Sequence, residues 1–139
     1  MSSTPESVLR TWFEEVWNQG REDTIDRLFA ANGLAHGLGD APLTGPAAFK
    51  PFYHNLRGAF PDIRVEIERT VVQGDLVAGY CRVTGTHTGD TMGKPTGTPI
   101  EFSGMCMMRV KDGQIVEAWN SFDFLSFYQQ LGLMPRLPK

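Results

Sequence analysis

Nowhere in this chain do about twenty consecutive apolar residues occur, the length a helix needs to span a bilayer, so no membrane partner is expected. Residues Met1 to Glu6 lack the basic segment and apolar run of a secretory leader, which leads us to expect a cytoplasmic location. Cysteine is scarce. Cys81 and Cys106 lie far apart inside strand-like runs, which favours buried free thiols over a disulfide or redox pair. Positive charge is also short, with 13 Lys and Arg against 16 Asp and Glu for a net charge of -3, so nothing draws the chain to a phosphate backbone and nucleic acid is not expected as a partner. The three histidines, His36, His54 and His87, form no i, i+4 pair, and no metal site is expected. Residues Gly89 to Lys94 lack the Walker spacing, and no Gly-x-Ser-x-Gly string is present; nucleotide binding and a hydrolase nucleophile elbow are set aside. There is no repeat, linker or low-complexity tract.

What is present is an ordinary globular composition, 41% apolar and 21% charged, over 139 residues, enough for one core and read as a single domain spanning 1–139. Thr4-Pro5-Glu6 reads as an N-cap, a first-turn proline and a dipole-favoured acid. Val8, Leu9, Trp12, Phe13, Val16 and Trp17 then recur at helical spacing, predicting a helix to about Gln19. A second short helix is expected over residues 22–31, and a third from Gly45-Pro46 carrying Phe49, Phe52, Tyr53 and Leu56, with Pro51 as an expected kink. From Ile63 the period changes to two, giving strands over about 63–72, 76–86, 100–110 and 114–122, the last two joined by the hairpin signal Asp112-Gly113. A short closing helix follows over about 125–131. Helices first and long antiparallel strands afterwards make an α+β fold, a curved antiparallel sheet covered by N-terminal helices. Where helices and a bent sheet diverge, an apolar cleft for a small molecule is expected.

Asp123 ends the last strand among Trp119, Phe122, Phe124 and Phe127, and a carboxyl group in apolar company is a candidate proton carrier because desolvation lifts its pKa. The alternative is that Asp123 caps the closing helix, which would lower it. His87, before a glycine-rich loop, is read either as a donor to a substrate carbonyl and support for Asp123 or as an anchor for that loop. His36 either lines the pocket or satisfies a turn, and His54 is taken as solvated. Trp119 and Tyr53, with polar tips, are the aromatics expected to touch ligand. Glu117 is either a second carboxylate in the cavity or an ion-pair partner of Arg82 or Arg109.

A set of local strings, in this order, resembles the SnoaL-like polyketide cyclase (ester cyclase) family of the nuclear transport factor 2-like superfamily. They are Val16-Trp17-Asn18-Gln19-Gly20, Gly45-Pro46 with Phe49, Ala59-Phe60-Pro61-Asp62, Gly85-Thr86-His87-Thr88-Gly89, Pro95-Thr96-Gly97 and Arg109-Val110-Lys111-Asp112-Gly113. Ile115, Glu117, Trp119 and Asp123 follow, then Gln130-Leu131-Gly132. The resemblance implies a cone-shaped α+β barrel assembled as homodimers or homotetramers, with no cofactor and no metal. It also implies intramolecular aldol ring closure of a hydrophobic, polyketide-derived carbonyl substrate, with Asp123 as acid and base. The strand holding Ser103 to Met108 departs from the family by offering thioethers and a thiol where polar side chains are usual. Phe102, Cys106 and Met108 are therefore expected to contact a smaller or more apolar ligand. Against an enzyme stands a ligand-binding or oligomerisation module of the same fold.

Overall fold

Thr4 starts the first helix as its spacing predicts: its Oγ1 accepts from the Ser7 N–H at 3.1 Å, and Pro5 fills a first-turn position that needs no donor. The structure, a computed structural model, describes residues 3–136. In chain order its elements are α1 (Pro5–Thr11), a continuing π-helical stretch (Trp12–Asn18), α2 (Glu22–Leu28), β1 (Phe29–His36), β2 (Leu43–Thr44) and α3 (Gly45–Ala59). The rest is β3 (Arg64–Gln73), β4 (Leu76–Thr86), β5 (Pro99–Lys111), β6 (Gln114–Phe122) and α4 (Phe124–Gln130). The π-helical stretch buries Trp12, Phe13, Val16 and Trp17. At its end Asn18 donates from Nδ2 to the Val65 carbonyl at 3.0 Å and accepts the Val65 N–H at 2.6 Å. Both main-chain groups of one residue on the edge strand β3 are thereby satisfied.

Two expectations are corrected here. The segment read as the end of the second helix is strand: α2 stops at Leu28, and Phe29 opens β1. Tertiary pairing decides this, because Phe29 lies opposite Ile115 of β6, while the local apolar spacing fits either element. The sheet is also not wholly antiparallel. Its order is β2-β1-β6-β5-β4-β3, and β1 runs parallel to β6, since α3 and four strands intervene and provide the crossover a parallel pair needs. All other neighbours are antiparallel. Pro51 lies inside α3, which runs on through it to Ala59.

The sheet curves around the helices without closing. Asp112 (φ 53°) and Gly113 (φ 74°) both adopt the left-handed conformation of a tight hairpin turn between β5 and β6. Just beyond it, Arg109 faces Glu117 but Val110 faces Ile115, so Val116 is an extra residue on β6. That bulge sets which side chains face inwards. Ile115 points to the core, and after Val116 the inward set is Ala118, Asn120 and Phe122.

Candidate functional site

Between the helices and the concave face of the sheet lies a cavity of about 70 Å³. Roughly 10–15 Å³ of such space holds one water, so there is room for several waters or a small apolar group. The π-helical stretch contributes Trp12, Phe13 and Trp17, α3 contributes Phe49, Phe52 and Leu56, and the sheet supplies Phe102, Cys106, Met108, Ile115 and Ala118 among others. Leu38, Phe52, Phe122 and Phe124 are only partly buried and form the rim. Gly104 makes room for one of them. It lies opposite Phe122 in the ladder, and a Cβ there would stand 2.4 Å from the Phe122 ring. Phe102, Phe122 and Phe124 then cluster with ring centroids 5.9–6.3 Å apart.

Among the described lining side chains, those other than Asn120 are apolar or a thiol, save for the indole N–H donors of Trp12 and Trp17, and Asn120 alone brings an oxygen acceptor. Its Nδ2 donates to the His36 carbonyl at 2.9 Å. Gly37, the next residue, passes so close to β6 that a Cβ would lie 1.8 Å from the Asn120 main-chain oxygen, and its φ of 85° is one that L side chains rarely adopt. The end of β1 is thus fixed against the rim at Asn120.

Asp123 is not dry. It is exposed, and its Oδ1 accepts the Ser126 N–H at 3.0 Å as the N-cap of α4. The expected desolvated carboxyl is corrected, because the last residue before α4 turns its carboxylate to the open main-chain amides of that helix and to solvent. Phe122 and Phe124 on either side of it do line the cavity. His87 is buried at 3% exposure, with Nδ1 3.0 Å from Thr96 Oγ1 and accepting the Thr96 N–H at 3.4 Å. Its main chain also bonds to Thr98 and Gly97, and its ring lies 5.3 Å from Phe60. It ties down the loop between β4 and β5 and does not line the cavity; its Nε2 is buried without a hydrogen-bond partner among the described residues.

Phe102, Cys106 and Met108 line the cavity, whereas His36, Tyr53 and Trp119 do not. Tyr53 is buried, its hydroxyl donates to the Val16 carbonyl at 2.9 Å, and burial pushes its pKa up. Trp119 stacks on His36 on the outer face of the sheet at 5.9 Å. There His36 Nε2 meets Glu117 Oε2 at 2.6 Å, so Glu117 pairs with a histidine and not with the arginines expected. Arg109 goes to Asp75, and Arg82 to Glu66 and Glu101. His54 is exposed and bonds to Glu22 at 2.8 Å. Both cysteines are free, and burial holds Cys81 up to about 11 and raises Cys106 further still, which leaves neither as a ready nucleophile. Asn120 escaped the sequence reading. Its signal was the alternation Ala118-Asn120-Phe122, obscured because Trp119 resembles an inward-facing aromatic and the bulge at Val116 shifts the parity.

An apolar cavity between helices and a curved sheet, with one amide in its wall, has the form that small-molecule sites take in α+β folds. The chain belongs to the SnoaL-like polyketide cyclase family, whose model matches residues 7–131. Among solved structures it is similar to IdmH of Streptomyces antibioticus, a candidate polyketide cyclase. The two are 33% identical over 92% of this chain and 98% of that one, with a TM-score of 0.80. A candidate polyketide cyclase from Bacillus cereus is 31% identical over 94% and 81% of the two chains, also at 0.80. AclR of Streptomyces galilaeus, a candidate hydroxylase, shares the fold at a TM-score of 0.85 and 24% identity over 97% and 85%. No curated protein sequence matches it. No helix is long and apolar enough to cross a membrane among the described residues.

Proposed function

We propose that the cavity receives the apolar body of a small hydrophobic carbonyl compound of polyketide type, and that the chain promotes its aldol-type ring closure at the rim. The observation that carries this reading is an apolar cavity whose mouth is built by Phe122 and Phe124, the neighbours of Asp123 on both sides. Ring closure needs a proton taken from carbon beside one carbonyl and a proton given to the oxygen of another. In this reading a solvent-facing Asp123 carboxylate takes the first proton at the rim and, once protonated, returns it to the acceptor oxygen, while the buried wall orients the chain of the substrate. Asp123→Asn is expected to lower turnover of a model polyketide ester by ~10²–10⁴-fold. Asparagine caps a helix about as well as aspartate, so the melting temperature should hold. An unaltered rate would remove Asp123 from the chemistry.

A second reading, a binding module without catalysis, is favoured by one fact: among the described residues no ionisable side chain but the Cys106 thiol lines the cavity. Ligand binding by both parent and Asp123→Asn, with turnover by neither, would establish it.

The outer face of the sheet supports a further element of this proposal, assembly of two or four copies. The register aligns Val71, Ala78, Met107, Trp119 and His36 in one row across five strands, beside Tyr80 and Met105 in the next. Val71 and Met105 are 70% and 56% exposed, an apolar stripe of the kind a second copy covers. Sedimentation should show an oligomer for the parent and a monomer for Met107→Glu. A parent that stays monomeric at tens of micromolar would dismiss the interface.

A further inference from the structure

Among the described residues lining the cavity, Asn120 alone offers an oxygen acceptor, the indoles of Trp12 and Trp17 being donors only, and its amide is held in place from behind. Asn120 donates from Nδ2 to the His36 carbonyl at 2.9 Å, and Gly37 packs against its main chain. Among the described residues no other hydrogen bond is made by this side chain, so Oδ1 is the uncommitted acceptor of a residue that lines the cavity. A polar atom facing an apolar space costs free energy unless a partner arrives, and a fixed one selects its partner by geometry. We infer that Asn120 is the specificity-determining contact of the site, and that the ligand class is a flat apolar molecule bearing one hydroxyl, phenolic or enolic, that donates to Asn120 Oδ1.

The choice of a donor over a carbonyl follows from the existing bond: the amide nitrogen is engaged with β1, and the oxygen is the uncommitted atom. Phe102 and Phe122 on the same side offer ring faces and edges for a planar body. The inference rests on the cavity being the substrate site, but it does not depend on Asp123 or on turnover.

Its test is binding of three single-ring probes by titration calorimetry: phenol, anisole, which has the hydroxyl masked by a methyl group, and toluene. The parent should bind phenol roughly tenfold more tightly than anisole, the fold-change one hydrogen bond supplies. In Asn120→Leu, which keeps the branched shape but removes the acceptor and the donor to the His36 carbonyl, that preference should vanish while toluene still binds. Equal affinity of the parent for phenol and anisole would overturn the assignment without using any variant, as would a phenol preference that survives in Asn120→Leu. Failure of all three probes to bind the parent overturns it together with the reading of the cavity. Because Asp123 does not line the cavity, a loss of turnover in Asp123→Asn and a loss of selectivity in Asn120→Leu report on separate claims.

Discussion

Gly37→Ala is expected to destabilise the protein by about 3 kcal/mol or more, lowering the melting temperature by roughly 10 °C. Two effects combine. The residue has φ 85°, where an alanine side chain is strained, and the added Cβ would stand 1.8 Å from the main-chain oxygen of Asn120. No flexible side chain can yield there. β6 is bonded on both sides, to β5 and β1, so relief requires the end of β1 to lift away. That movement would break the Asn120 bond to the His36 carbonyl and displace Leu38 from the rim, so binding of apolar probes should weaken as well. Gly39→Ala serves as the control, because its Cβ meets nothing within 4 Å and its φ is not positive. Similar losses at both positions in chemical denaturation would show that the close approach at Gly37 is not what matters.

Phe60→Ala should cost about 3–5 kcal/mol, the range for emptying a buried aromatic site. Phe60 is fully buried, with its ring 5.3 Å from His87 and 5.5 Å from Phe127. It joins three pieces: the end of α3, the loop held by His87, and α4. The Thr88 and Gly89 amides both donate to the Ala59 carbonyl beside it, so their hydrogen exchange should speed up beyond the global change. Phe60→Leu, keeping most of the volume, should lose less than half as much. A cost for Phe60→Ala below about 1 kcal/mol would contradict this packing.

Much of the fold was legible because the relevant contacts are local or strictly periodic. Thr4 and Pro5 mark a helix start, and Asp112-Gly113 marks a hairpin, each by the chemistry of a few neighbouring atoms. The alternation of Val65 and Ile67 with charged residues placed β3. β1 was hidden for the opposite reason. Leu28-Phe29-Ala30 continues a helical spacing, and the partner that makes it a strand lies at Ile115 and beyond. The π-helical winding of Trp12–Asn18 was also invisible, since seven residues are too few to separate its period from that of an α-helix.

The site was less legible than the fold. Asp123 was singled out by its aromatic neighbours in sequence, but Phe122 and Phe124 turn towards the cavity while the carboxylate between them turns to the first amides of α4. Trp119 and His36 looked like pocket residues and instead stack on the outer face. One inserted residue, Val116, lies behind much of this error: it exchanges the faces of β6, and nothing in the composition of Ile115-Val116-Glu117 announces it.

The parallel pairing of β1 with β6 has a consequence for synthesis. A ribosome releases Phe29 long before Ile115 and Ala118, so Ala35 waits without its neighbour until β6 has emerged. Contacts so distant along the chain close slowly. The wall that carries Asn120 is therefore the last part of the sheet a nascent chain can complete, and any truncation before residue 114 would leave the molecule without a binding chamber.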